Sequence, residues 1–138
     1  MVRIMGLDLG EKRIGVSLSD LMGWTAQGYK TIHRTNIKTD LQELNKIILE
    51  NEVGKIVIGL PKNMNGSLGP QSEKVMKFAD RLNKHTKLQI IFWDERLTTV
   101  AAERTLIQAN VSRTKRKNVI DKIAAIHILQ GYLDSINK

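Results

Sequence analysis

The stretch "IMGLDLGEKRIGVSLSD", residues 4–20, decides the fold because it holds two alternating apolar segments with a short turn between them. Residues 1–9 alternate with a period of two, and residues 14–18 repeat the pattern, so each segment is predicted to be a strand. The turn over 10–15 has glycine at both ends, which predicts an antiparallel β-hairpin. Asp8 lies inside the first strand. A carboxylate buried there costs several kcal/mol unless its charge is compensated.

The length and composition indicate one globular domain over residues 1–138, with 41% hydrophobic and 26% charged residues. There is no run of about 18 apolar residues that would predict a membrane span. The amino terminus has no apolar segment of the secretory type. The sequence has 0 cysteines, which excludes disulfides and thiolate metal sites and fits a cytoplasmic protein.

The charge balance points to a polyanionic partner. Lys and Arg total 22 against 14 Asp and Glu, a formal net charge of +8. Such an excess in a small domain favours nucleic acid as the partner, with a general solubility trait as the alternative. Aromatic residues make up only 4% of the chain, so recognition is expected through backbone phosphates and shape rather than base stacking.

The rest of the pattern predicts a mixed α/β sheet of five strands flanked by helices. Three antiparallel strands come first, and the later strands are separated by helices, which predicts parallel pairing with right-handed crossovers. The elements expected after the hairpin are a strand over 29–33, a helix opened by a capping box of Thr39 and Gln42, a strand over 55–60, a helix from Pro70, a strand over 88–93, and helices over 98–110 and 119–136.

Acidic residues occur at three positions where the pattern predicts core. They are Asp8 in the first strand, the pair Asp94 and Glu95 at the end of "LQIIFWDE", and Asp121 in the first turn expected for the last helix. Each has a structural alternative. Asp8 could lie on a half-exposed strand face, the pair could begin a loop, and Asp121 could serve the helix dipole. Side chains alternate across a strand, so only one of the pair can face Asp8, and the pattern leaves open which.

Taken together, these acids suggest a divalent cation. Gathered carboxylates without matching buried cationic side chains need one, and oxygen ligands favour Mg²⁺ or Mn²⁺ over zinc. A carboxylate–metal site beside a polyanion-binding surface fits phosphodiester hydrolysis, which needs neither a histidine base nor a nucleophilic side chain. The hypothesis requires that the acids lie together with no arginine or lysine head filling the space between them.

Four segments resemble the YqgF family, also called RuvX, whose fold is RNase H-like. The segments are "GLDLGEKRIGVSLSD", "IVIGLPKNMNGSLGPQ", "FWDERLTTVAAE" and "DKIAAIHILQGYL", and they extend over almost the whole chain. By this resemblance the acidic site maps onto Asp8, Glu95 and Asp121, which places Glu95 rather than Asp94 beside the metal. Asp20 matches the end of a family motif and is interpreted as a turn residue. Ser17 stands where the family often has alanine.

The resemblance implies a bacterial cytoplasmic nuclease linked to maturation of the 5′ end of 16S ribosomal RNA from its precursor, with ribosomal particles as further partners. A Holliday junction resolvase acting on branched DNA is one alternative, and a non-catalytic RNA-binding factor in ribosome assembly is another. A nucleotide-using enzyme of the sugar-kinase type would need a second domain, for which 138 residues leave no room. The sequence does not indicate whether the protein is a monomer or a dimer.

Basic residues lie near each acid in the sequence. They are expected to contact phosphates and orient the substrate strand without reading its sequence, although a solvated flexible loop is the alternative for the last group. The nucleic-acid-binding candidates are Lys12 and Arg13 in the hairpin turn, Arg96 directly after Glu95, and Arg113, Lys115, Arg116 and Lys117 in a loop expected just before Asp121.

Overall fold

The β-hairpin predicted from residues 4–20 is the first element of the structure, which is a computed structural model. The structure describes residues 2–63, 65–95 and 113–137, and over 113–119 it describes the backbone alone. Each predicted strand is present in the described part, with bounds shifted by one to three residues. The elements are β1 Arg3–Leu9, β2 Arg13–Ser19, β3 Ala26–His33, α1 Ile37–Glu50, β4 Val53–Leu60, α2 Pro70–Thr86, β5 Gln89–Asp94 and α3 Arg113–Ile136.

The five strands form one mixed sheet in the order β3-β2-β1-β4-β5. β1 pairs antiparallel with β2, and β2 pairs antiparallel with β3. β1 pairs parallel with β4, and β4 pairs parallel with β5. The prediction of three antiparallel strands followed by parallel strands is confirmed. The carboxyl ends of β1, β4 and β5 therefore meet at one edge of the sheet.

The two faces of the sheet are covered by different helices. On one face, side chains of β1, β2 and β4 pack with α1 and α2 in a large apolar cluster. On the other face, α3 packs with Val57 of β4 and with Ile91 and Trp93 of β5 in a smaller cluster. Because side chains alternate along a strand, each strand contributes to both layers. Met5, Leu7 and Leu9 of β1 belong to the first face, and Gly6 and Asp8 belong to the second.

The start of α1 differs from the expectation, whereas the start of α2 agrees with it. The capping box of Thr39 and Gln42 was the wrong cap for α1, because the side chain of Asn36 accepts the hydrogen bond from the Thr39 backbone N–H at 2.9 Å. Asparagine in extended backbone geometry is itself a strong N-cap. For α2 the prediction is confirmed, since Pro70 occupies the first helical turn after Gly69.

The predicted basic loop before Asp121 is wrong. α3 begins at Arg113, so the backbone of residues 113–117 is helical. No glycine or proline interrupts this segment, and arginine and lysine are good helix formers. Asp121 therefore lies in the third turn of α3, where the helix dipole does not explain it. The helix expected over 98–110 lies outside the described residues.

In the part of the chain that the structure describes, none of the helices combines the length and the apolar character needed to cross a bilayer.

Candidate active site

Asp8 lies near the carboxyl end of β1, on the sheet face that α3 covers, and its relative exposure is 7%. Its face follows from Gly6, two residues earlier, where an added Cβ would lie 2.7 Å from Cβ of Leu129 in α3. The backbone partner of Asp8 across the antiparallel pair is Gly15 of β2. The first acid is therefore a nearly buried carboxylate in the layer between sheet and helix.

Glu95 joins Asp8 on the same face. The parallel register pairs Leu7 with Ile58, and continuing it by one residue brings Asp8 beside Gly59 of β4. A Cβ at Gly59 would lie 2.7 Å from Oε1 of Glu95, so the Glu95 carboxylate occupies the space above this glycine. Adjacent strands are about 4.8 Å apart, which brings the two acids close together.

Asp94 belongs to the opposite face. It is the register partner of Leu60, whose side chain lies in the apolar cluster under α1 and α2. Paired residues of neighbouring strands point to the same side of a sheet. The structure therefore agrees with the assignment, taken from the family resemblance, of Glu95 rather than Asp94 to the face of Asp8.

Asp121 approaches this face from α3. An added Cβ at Gly15 would overlap the backbone carbonyl oxygen of Asp121, so the helix backbone rests directly on β2 at the residue paired with Asp8. Ala124 and Ala125 are fully buried one turn further along, and their small side chains let α3 lie close to the sheet. Ser17 of β2 fixes the approach, since its hydroxyl donates to the Ala125 carbonyl at 2.8 Å.

The Asp121 carboxylate is engaged by an arginine. Nε of Arg13 donates to Oδ2 of Asp121 at 2.8 Å, and the two side chains are 24% and 16% exposed. Within residues 2–63, 65–95 and 113–137, no three acidic or histidine side chains are spaced, as they stand, to hold a metal ion. The predicted convergence is thus partial. Asp8 and Glu95 share one face beside the Asp121 backbone, and the Asp121 carboxylate turns to Arg13.

The hairpin turn that carries Arg13 is held by Arg34, which the sequence did not single out. Nη1 of Arg34 donates to the Gly10 carbonyl at 2.7 Å, and its backbone N–H donates to the Lys12 carbonyl at 2.9 Å. The Arg34 guanidinium also lies 5.1 Å from the ring centre of Phe78 in α2. These contacts fix the turn against the first face of the sheet.

The basic candidates are distributed unevenly. Lys12 is exposed at the hairpin turn, next to Arg13. Arg96 lies outside the described residues. The other four are in the first turns of α3, where only the backbone is described, and their helical path begins eight residues before Asp121, about 12 Å along the axis. They are Arg113, Lys115, Arg116 and Lys117.

Asp20 has the structural role expected for it. Its Oδ1 accepts hydrogen bonds from the backbone N–H groups of Trp24 at 2.7 Å and Thr25 at 3.1 Å. The hydrogen bond from Thr25, with that from Trp24, holds the pKa of the Asp20 carboxyl below its usual range against an opposing effect of burial. Asp20 begins the turn after β2, at the opposite end of the strands from Asp8.

The fold is shared with RNase H-like resolvases. Thermus thermophilus RuvC, solved with a Holliday junction substrate, superposes with a TM-score of 0.59 over 99% of this chain and 96% of its own, at 6% identity. The fowlpox virus resolvase, solved with Holliday junction DNA, superposes with a TM-score of 0.56 over 99% of this chain and 100% of its own, at 11% identity. At such identities the similarity shows the fold alone.

The sequence itself identifies the family. The model of the RuvX family, described as Holliday junction resolvase, matches residues 2–135, and the chain belongs to this family. A protein of Clostridium tetani named as a candidate pre-16S rRNA nuclease is 62% identical over 135 residues, covering 98% of each chain. One of Clostridioides difficile with the same name is 64% identical over 132 residues, covering 96% of this chain and 94% of its own. The predicted family is confirmed, and it is one of nucleases that hydrolyse phosphodiester bonds.

Proposed function

We propose that this chain is a metal-dependent nuclease that hydrolyses phosphodiester bonds during 5′-end processing of precursor 16S rRNA, in the cytoplasm and on ribosomal particles. The observation that carries the proposal is the placement of Asp8 and Glu95 on one face at the carboxyl end of parallel strands, with α3 resting on Gly15 beside them. Ligands of α/β sheets bind at this edge. The names of the clostridial relatives support the substrate.

The donor set fits Mg²⁺ or Mn²⁺. All three candidate ligands are carboxylates, which these ions prefer, and glycine at positions 15 and 59 lets the Asp121 backbone and the Glu95 carboxylate lie close to the sheet. Asp8, Glu95 and Asp121 would hold the ion once the Asp121 carboxylate turns toward the other two. A bound divalent cation supplies Lewis-acid activation of water and stabilises the charge that develops on the phosphate.

The chain's own basic residues would bind and orient the nucleic acid. Lys12 and Arg13 lie at the same sheet edge as the acids, and the basic start of α3 leads toward Asp121. Contacts of this kind go to phosphates, so affinity should fall by roughly 0.9 log units per log unit of salt for each duplex phosphate neutralised. Arg96, which directly follows Glu95, is included in this proposed surface on its sequence position.

The decisive experiment is cleavage of a precursor 16S rRNA fragment with Mg²⁺. We expect the wild-type protein to cut, and Asp8→Asn and Glu95→Gln to lose at least about 10³-fold in rate, because each removes a proposed metal ligand. Asp94→Asn is the matched control, since Asp94 is the neighbouring acid on the other face and should keep its activity. Equal cleavage by wild type and Asp8→Asn would show that the site is wrong.

A resolvase acting on branched DNA is the second candidate, favoured by the description of the family model. A resolvase cuts two strands of a four-way junction and therefore acts as a symmetric dimer. The same variants should be assayed on a four-way DNA junction, and the mass in solution should be measured. A dimer that cuts the junction faster than the rRNA fragment favours the resolvase. If neither substrate is cut while RNA still binds, the protein is an assembly factor instead.

A further inference from the structure

We propose that Arg13 exchanges partners during substrate binding. Without nucleic acid it holds the Asp121 carboxylate, and a substrate phosphate draws it away, which releases Asp121 to bind the divalent cation. Arg13 thereby couples nucleic-acid binding to metal binding. This inference rests on the proposed nuclease function and assigns Arg13 a positioning role within that site.

The contact geometry places Arg13 between two candidate partners. Its Nε lies 2.8 Å from Oδ2 of Asp121, and its side chain is still 24% exposed, so an incoming phosphate can reach the guanidinium. The backbone around it is fixed, because the Gly10 N–H donates to the Arg13 carbonyl at 2.9 Å and Arg34 holds the rest of the turn. A change of partner therefore needs only rotation of the Arg13 side chain.

Arg13 and a divalent cation compete for the Asp121 carboxylate because both are positively charged. A guanidinium remains protonated at any physiological pH, and its positive charge opposes a divalent cation at the same carboxylate. The arrangement described above agrees with this competition, since Asp121 is bonded to Arg13 and no three acids in the described residues are spaced for a metal ion. A backbone phosphate of the substrate offers Arg13 a bidentate partner with the same single negative charge as the Asp121 carboxylate.

Thermodynamic linkage predicts the direction in which metal affinity changes when Arg13 is replaced. If Arg13 opposes metal binding in the free protein, removing its charge must tighten metal binding, and nucleic acid must have the same effect on the wild type. In the opposite role, Arg13 would hold the Asp121 carboxylate in the orientation that binds the metal, without itself being a ligand. Loss of such a partner typically weakens metal binding by 10–100-fold. The direction of the change therefore separates the two roles.

The test is calorimetric titration of Mn²⁺ into the full chain without nucleic acid, for wild type, Arg13→Gln and Arg13→Ala. We expect both variants to bind Mn²⁺ about tenfold more tightly than wild type. A variant damaged in its fold would bind more weakly, so a gain cannot arise from misfolding, and circular dichroism checks each sample. Lys77→Gln removes an exposed charge from α2, on the other face of the sheet from Asp121, and should stay within about twofold of wild type.

Three outcomes distinguish the possible failures. Binding that is unchanged or weakened in both Arg13 variants overturns the exchange and leaves the nuclease proposal standing. Saturable binding that persists in Asp121→Asn overturns the exchange as well, because Asp121 is then no ligand. Absence of saturable Mn²⁺ binding in wild type and in both Arg13 variants overturns the metal site and the exchange with it.

A second titration tests whether nucleic acid tightens metal binding through Arg13. Adding an uncleavable 2′-O-methyl RNA duplex should tighten Mn²⁺ binding by the wild-type protein. The gain in affinity should be smaller for Arg13→Gln. Mn²⁺ binding to the RNA alone is measured separately and subtracted. An equal gain in both proteins contradicts the exchange, because the coupling then passes through other groups. Activity of the metal-loaded protein enters neither measurement.

Discussion

The two faces of the sheet are built in contrasting ways. The face under α1 and α2 is filled by large aliphatic side chains such as Leu7, Ile58 and Leu82, all fully buried. The face under α3 carries Gly6, Gly15 and Ser17 beside the larger Val57, and the α3 backbone contacts the sheet backbone at Gly15. One face provides most of the apolar burial, and the other brings a helix within contact distance of an acid on the sheet.

This difference bears on how a small domain accommodates an acid in its interior. Asp8 lies nearly buried on the α3 face, and a carboxylate there is costly to desolvate, so this layer contributes less to stability than its area suggests. The apolar layer behind it compensates. Substitutions on the two faces should therefore separate stability from chemistry.

The largest effect on stability is expected in the apolar layer. Leu82→Ala should lower the free energy of unfolding by about 3 kcal/mol, because it leaves a cavity among side chains that cannot close around it. Urea denaturation measures the change, and Leu82→Met, which conserves volume, should cost less than about 1.5 kcal/mol. Cleavage by the folded Leu82→Ala protein should stay near wild type. A loss of cleavage comparable to that of Asp8→Asn would mean that the two faces are not separable.

Gly15→Ala tests the close approach on the other face. The added methyl group overlaps the Asp121 carbonyl, so α3 must shift, at a cost of about 2 kcal/mol in unfolding free energy. Unlike Leu82→Ala, this variant should also lose cleavage when folded. Gly28→Ala is the control on the same face, since the tightest contact of its Cβ would be with the flexible Cδ1 of Ile126 at 3.2 Å. If the two alanine variants are equally stable, the helix does not rest on Gly15.

Ser17→Ala should have a smaller effect. It removes the buried hydrogen bond to the Ala125 carbonyl and should cost about 1 kcal/mol in unfolding free energy. The family resemblance places alanine at this position, so the variant should fold and remain able to cleave. Denaturant unfolding followed by circular dichroism measures the loss. A gain in stability would show that the hydroxyl is poorly accommodated between strand and helix.

The smallest effect is expected at Asp20, far from the acids. Its carboxyl has a lowered pKa in the folded state, so its contribution to stability is present above the unfolded-state pKa and is lost as the pH falls through the folded-state value. Asp20→Asn should melt slightly below wild type at pH 7, and the difference should close as the pH falls below about 4. Melting curves across this range test the sign. A difference that widens in acid contradicts the hydrogen-bonding role.

The sequence was sufficient for the features that depend on local pattern. Alternation predicted β1 and β2, and a run of β-branched residues predicted β4, because burial imposes a period on the chain. The start of α3 was missed, since four basic residues in five suggested a solvated loop although nothing in them breaks a helix. Local charge is a weaker guide to backbone conformation than the lack of glycine and proline.

The sequence named three acids for the candidate site but did not reveal the residues that they contact. Buried positions in the pattern singled out Asp8 and Asp121, and the family resemblance chose Glu95. The bond between Arg13 and Asp121 joins residues 108 positions apart, and no periodicity reports such a pair. The sequence also did not reveal the role of Gly59, whose missing side chain leaves the space that the Glu95 carboxylate occupies. A glycine flanked by large residues in a buried strand was the available signal.

The order of the acids along the chain has a consequence for synthesis. Asp8 belongs to the first strand, whereas Asp121 belongs to a helix that follows all five strands of the described sheet. A chain emerging from the ribosome can pair its hairpin early, since those contacts are local, and acquires its third acid only after β5 has been made. A partly synthesised copy therefore lacks one of the three carboxylates proposed to hold the metal ion.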